Sequence, residues 1–234
     1  MADLNEHHYQ LTADDLQSRV LYKDKLIIVI NKPPAIPVHP GPRGYESLED
    51  HFDALKFELP EPPSLAHRLD RDTSGCLILG RQKKALRRLG KLFEAGAIKK
   101  IYWAIAHGAP KEDAGIIDGF LEKVKTPKGW YMKVCNEKVG AQRAVTEWKV
   151  MKRVNDWSWL ECTPKTGRTH QIRVHCQSLG CPIIGDWVYG PQAGTDSLPL
   201  LHLHARTVEI PLYEGQAPIR VEAPVPEHMA GKIG

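Results

Sequence analysis

The chain has 234 residues, 42% of them hydrophobic and 26% charged, the proportions of a folded globular protein with one large domain or two small ones. No apolar run approaches the roughly 18 to 20 residues that span a bilayer. The opening MADLNEHHYQ lacks the basic stretch and apolar core of a signal peptide, so membrane insertion and export are not expected.

The net charge of +4 conceals a local source, because between Arg81 and Lys100 eight basic residues stand against Glu94 alone while the rest of the chain is slightly acidic. Such a concentration is the mark of a surface that faces a polyanion, or else of a solvated lysine-rich helix face. The five cysteines, Cys76, Cys135, Cys162, Cys176 and Cys181, are odd in number and form no CxxC pair. They signal neither a disulfide framework nor a zinc site, and read as buried small hydrophobes in a reducing compartment such as the cytoplasm.

Residues 1–18 are polar and aperiodic and read as an N-terminal arm, with the folded body running from 19 to 234. Leu26 to Pro33 is a continuous apolar run of strand length that ends in a proline pair, which predicts a buried strand entering a loop. Ser47 can cap a short helix reaching about Phe57. After the proline-rich PEPPS come two strand-length segments, one ending in HRLD and the other CLILG, around the turn-like DRDTSG. Leu86, Leu89, Phe93 and Ala97 fall near one face of a helix that stops around Gly96, leaving Lys84, Arg87, Arg88 and Lys91 on its other faces.

KKIYWAIAHG then reads as a strand. Between Gly115 and Thr163 lie GWYMKVC, AVTEWKVMKRV and, beyond a turn at Asn155 and Asp156, WSWLEC, with a hairpin among them. A second helix is expected from about Thr169, with Ile172, Cys176 and Leu179 as its apolar stripe and Gly180 at its end. LLHLHARTVEI and IRVEAP close the chain as strands. Strands outnumber helices without a regular βαβ alternation, so the expected class is α+β with a mixed sheet.

Three segments carry residues fit for chemistry. In HRLDRDTSG, from His67 to Gly75, an extended HRLD would project Arg68 and Asp70 to the same side. That pair is either an ordinary ion pair or a carboxylate and a guanidinium entering one cavity. In TGRTHQIRVH, from Thr166 to His175, a glycine turn feeds a helix carrying Arg168 and Arg173. Arg173 stands beside the buried stripe, and from there it could pair with Asp70 and hold it ionised even in a dry cavity. In KKIYWA, Tyr102 offers a ring that can stack on a base and a hydroxyl that can hydrogen-bond.

Taken together and in order, NKPPAIPVHPG from Asn31, HRLDRDTSG from His67, KKIYWA from Lys99, TGRTHQIRVH from Thr166, PIIGD from Pro182 and LHA from Leu203 resemble the RluA family of pseudouridine synthases, from about Leu21 to Pro224. The resemblance implies a mixed, largely antiparallel central sheet with flanking helices and loops. It also implies cofactor-free isomerisation of chosen uridines in ribosomal or transfer RNA. Asp70 matches the family's catalytic aspartate, Arg68 the arginine that enters the RNA when the target nucleotide is turned out, Tyr102 the active-site tyrosine, and Arg173 the basic partner of the aspartate.

Lys84, Arg87, Arg88 and Lys91 are expected on RNA phosphates. Cys181 departs from the histidine that many members carry before the proline, at a position outside these roles. The arm is shorter than the S4-type RNA-binding domain of some relatives, and a monomer without metal is expected. Two other readings of the same residues are an RNA-binding module without catalysis, and a metal hydrolase built on His39, His67, His202, His204 or the pair His170 and His175.

Overall fold

A computed structural model describes residues 11–41, 44, 46–127, 129–191 and 199–233. It is an α+β protein in which every strand pair of known register is antiparallel. The chain forms two compact units, one from Met1–Lys100 and Ala205–Val225, the other from Ile101–His204 and Pro226–Gly234. Among the described residues no helix is long and apolar enough to cross a membrane.

In the first unit, α1 (Ala13–Ser18) precedes β1 (Val20–Lys23) and β2 (Ile27–Lys32). The apolar run read from Leu26 is β2, which lies in the sheet between β1 and β4 (Ser74–Gly80), and its first four residues are buried, so both of its faces are covered. Asp24 shapes the β1–β2 turn by accepting the N–H groups of Leu26 and Ile27 at 2.7 and 2.8 Å. The short β3 (Ser64–Leu65) also pairs with β4. The last six residues of the expected arm are in fact α1, held by a capping box between Thr12 and Asp15 and anchored by the fully buried Leu16. Ser47 caps a 3₁₀ helix, Leu48–Leu55, as its sequence suggested.

The basic helix is α2 (Lys83–Glu94), which buries Ala85 and Leu89, the latter in one core cluster with Ile27, Val29, Cys76 and Ile78. Its Lys83, Lys84, Arg87, Arg88 and Lys91 are all exposed.

HRLD is not a strand. The ladder with β4 stops at Ala66, whose N–H reaches the Ile78 carbonyl at 3.1 Å, because the Ile78 N–H is taken by the His67 ring instead of a backbone carbonyl. Residues 66–70 are therefore irregular, and the pleat that would align Arg68 with Asp70 is missing.

The second unit contains β5 (Lys99–His107, from Ile101 onward), β6 (Ala114–Thr126), β7 (Gly129–Cys135), β8 (Gln142–Val154) and β9 (Trp157–Pro164), paired in the order β5, β9, β8, β6, β7. The expected hairpin is β8 and β9, turning at Asn155 and Asp156. Along β9 burial alternates residue by residue, as a sheet with one covered face requires. That cover is α3 (Gln171–Ser178), whose Ile172 and Cys176 pack on Trp148, Leu160 and Cys162, with Val174 on Leu121 and Met132.

The strand β10 (Leu203–Ile210) passes from the second unit back into the first, where it lies beside β4 and pairs with β11 (Ile219–Glu222). A last helix, α4 (Glu227–Ile233), was not anticipated. All five cysteines are free thiols, four of them buried and Cys135 partly so.

Candidate active site

Asp70 opens a tight turn in the first unit, closed by the Thr73 N–H on the Asp70 carbonyl at 3.2 Å. The turn is pinned on both flanks. Before it, Leu69 is 4% exposed while Arg68 is exposed and Asp70 half-buried. After it, Thr73 and Ser74 are buried, and Gly75 has φ +106° with its backbone against Ala205 of β10. A Cβ at Gly75 would lie 2.3 Å from the Ala205 carbonyl oxygen, so only glycine lets the motif press this close.

Beneath the turn lies a residue that the sequence reading passed over. Lys32, the last residue of β2, has a fully buried side chain whose Nζ donates to the Pro33 carbonyl at 2.7 Å and the Arg71 carbonyl at 2.8 Å. An ammonium taken from water into this interior is costly. Burial accordingly pushes the Lys32 pKa down to about 7, against the pull of Asp72 and Asp70 and with a smaller push from Arg71 and Arg19. The backbone on either side of Asp70 is thus tied to β2 below and to β4 beside it. His67 makes the second tie, with its Nε2 accepting the Ile78 N–H at 3.0 Å and its ring 5.0 Å from that of Phe93. Burial first, then the nearby Lys100, lowers its pKa to about 3, so the ring is neutral and its proton is on Nδ1.

Arg173 and Tyr102 belong to the second unit. Arg173 was expected at the border of the helix stripe. It is instead 2% exposed, and its Nε and Nη2 each donate at 2.7 Å to the two carboxylate oxygens of Asp186. Asp186 is itself fixed, because its Oδ1 also accepts the N–H groups of Val188 and Tyr189 at 3.0 Å each. The preceding Gly185 has φ +78°, and a Cβ there would lie 2.3 Å from the Leu200 carbonyl oxygen. This bidentate, fully desolvated pair explains the GD of PIIGD, which sequence reasoning matched without assigning it a role. Tyr102 is half-buried on β5, opposite Cys162 of β9, and packs on the core under α3.

The turn before α3 is clipped to β8 by Gln171. Its amide donates to the Val145 carbonyl and to Thr146 Oγ1, both at 2.9 Å, and its oxygen accepts from Thr166 Oγ1 at 2.6 Å and the Arg168 N–H at 3.0 Å. Arg168 is thereby presented, exposed, on a fixed backbone. Cys181, the departure from the family pattern, is buried with its thiol 3.5 Å from the Leu179 carbonyl.

Four of the six histidines considered as metal ligands are engaged elsewhere. His67 holds Ile78, His170 Nδ1 meets the Tyr189 hydroxyl, His175 Nδ1 meets Thr146, and His202 Nδ1 meets the Leu200 carbonyl. Among the described residues no three His, Cys, Asp or Glu are grouped to hold a metal ion.

The sequence signature of RNA pseudouridylate synthase matches residues 26–178, which carry Lys32, the Asp70 turn, Tyr102 and Arg173. An uncharacterized RNA pseudouridine synthase of Zymomonas mobilis is 43% identical over 91% of this chain and 95% of its own length. The ribosomal large subunit pseudouridine synthase D of Borreliella burgdorferi is 35% identical over 86% of this chain, which spans 63% of that protein. The solved structure of human RNA pseudouridylate synthase domain containing 4 superposes with a TM-score of 0.78 at 28% identity, over 93% of this chain and 92% of that one. The chain therefore belongs to the RluA-type RNA pseudouridine synthases, isomerases that act on RNA.

Two measurements check the supporting contacts. Replacing Asp186 by alanine strands the Arg173 charge in the interior and should lower stability by about 3–5 kcal/mol in urea unfolding. For Lys32, the unfolded side chain keeps its proton up to its ordinary pKa of 10.5 while the folded one releases it near 7. The unfolded state thus binds more protons between those values, and the burial cost, present in full below pH 7, is relieved as pH rises. The stability of the wild type relative to Lys32→Met should therefore climb between pH 7 and 10 in denaturant titrations; a flat difference would contradict the assignment.

Proposed function

We propose that Asp70 is the catalytic carboxylate and that the enzyme isomerises specific uridines of ribosomal RNA, transfer RNA or both. The observation that carries this reading is the Asp70 turn, a half-buried carboxylate on backbone immobilised by Lys32, His67 and the Gly75 contact. Such fixing is what a group needs in order to meet one sugar atom in one orientation. The glycosidic bond of a stacked nucleotide is out of reach, so the target uridine is turned out of the RNA and Arg68, exposed next to the turn, fills the vacancy. Asp70 then either attacks C1′ of the ribose or removes a ribose proton to start elimination, and both routes use the charged form. The freed uracil rotates, bonds through C5 and loses the C5 proton. Tyr102 stacks on the base, and the Arg173 charge, fixed in the interior by Asp186, serves as the basic counterpart of the Asp70 carboxylate rather than as a contact to the RNA.

The α2 cations bind the RNA backbone. Lys83 and Lys84 occupy the first turn of α2, which has no acidic residue and no side-chain cap. Cations at that end oppose the helix dipole, a local cost that phosphate binding offsets. The name of the Borreliella relative favours a ribosomal target. We also infer a monomer working in a reducing compartment, the cytoplasm, which the five free thiols support.

Purified protein should release tritium from RNA labelled at uridine C5, and Asp70→Asn should lower the rate at least about a hundredfold while leaving the unfolding midpoint nearly unchanged. Undiminished release by the variant would end the assignment. Replacing Lys84, Arg87, Arg88 and Lys91 together by alanine should flatten the salt dependence of RNA binding, reducing the log–log slope by about 3.

A further inference from the structure

The second unit carries an aromatic surface that the reaction above does not use. Trp130, on the outermost strand β7, is 42% exposed, an unusual state for the largest side chain. Its ring is held from within the fold. It stacks on His170 at 5.1 Å with 26° between planes, His170 Nδ1 lies 2.9 Å from the Tyr189 hydroxyl, and that hydroxyl accepts the Met132 N–H at 2.9 Å. His170, at φ +53° just before α3, is placed by the Gln171 clip on the turn it ends. The indole is therefore a rigid plate, while the group lying over it is mobile in kind. The exposed Lys123 of β6 sets its ammonium 4.1 Å from the ring centroid. Lys125, also exposed, stands directly across the ladder from Trp130, and two-residue spacing puts both lysines on its side of the sheet. Arg168, exposed, belongs to the turn that His170 ends.

We propose that Trp130 is a stacking platform for an unpaired base of the substrate RNA other than the isomerised uridine, with Lys123 and Lys125 on the flanking phosphates. This rests on the RNA-isomerase reading, which supplies an occupant of the right charge. A flat exposed ring beside cations is what a single strand uses without regard to base identity, since every base offers a face to stack. Lys123, on its flexible stem, swings from the ring to a phosphate when the base arrives and keeps its charge satisfied in both states. A ring that only sealed the edge of the core would have no need of cations on its open side.

The test is tritium release under single turnover, with enzyme in excess over total C5-labelled RNA from cells lacking the protein. Trp130→Ala should raise the half-saturating enzyme concentration about tenfold while the rate at saturation stays within about twofold, and Trp130→Phe should stay within about threefold of wild type. Lys123→Ala with Lys125→Ala should flatten the log–log salt slope by about 1.5. Half-saturation within twofold of wild type in Trp130→Ala would overturn the platform. So would a fall in its saturating rate accompanied by a lower unfolding temperature, since Trp130 would then be a prop of the fold. No release by the wild type itself would overturn the reading of the enzyme, and the platform with it.

Discussion

One buried ammonium underlies the placement of the Asp70 turn. Lys32 reaches from the end of β2 to the carbonyl of Arg71, the residue after Asp70, and it does so from a position without solvent. Its burial lowers the pKa to about 7 against the pull of Asp72 and Asp70, and its Nζ donates to the carbonyls of Pro33 and Arg71. The dependence runs both ways, because the turn is held by the lysine and the acids of the turn pull the pKa of the lysine up against its burial. A second buried charge, Arg173 on Asp186, plays the same part in the other unit, where it joins α3 to the Gly185 loop. In both places an ionic group in the interior fixes backbone that no ladder of hydrogen bonds would hold.

Much of the frame was legible in the sequence because local patterns and long-range packing agreed. The run from Leu26, the strand WSWLEC after the turn at Asn155 and Asp156, and the buried Leu89 and Ile172 are found where expected, whereas Ala97, grouped with Leu89 on the expected stripe, is exposed beyond the end of α2. HRLD was misread for a physical reason. Strand length and an Arg-x-Asp alternation satisfy a local rule, but the histidine ring takes the β4 N–H and ends the ladder at Ala66. Lys32 escaped notice because a lysine after an apolar strand is ordinarily a surface residue, and its carbonyl partner lies 39 positions away. Arg173 was seen, but Asp186, thirteen residues on, could be joined to it only in three dimensions.

The chemistry of the site asks for little beyond placement. In the role proposed for Asp70, a carboxylate attacks or deprotonates a sugar that is brought to it and held, and the buried charges of the fold fix the backbone that carries it. On the proposed function, RNA is drawn by charge that the fold leaves outside, on the exposed side of α2 and on the turn that presents Arg168. Interior ions fix geometry, and in the proposed function exterior ions gather substrate. The family relationship and the physical reading meet on residues 26–178, where both kinds are found.

The central claim, that the carboxylate at position 70 makes the enzyme, is tested most directly by a transcriptome-wide pseudouridine map of cells that lack the protein, re-expressing either the wild type or Asp70→Asn at equal levels. The account predicts a defined set of pseudouridines that disappears without the protein, returns with the wild type and stays absent with the asparagine variant. Return of those marks with the variant would contradict it.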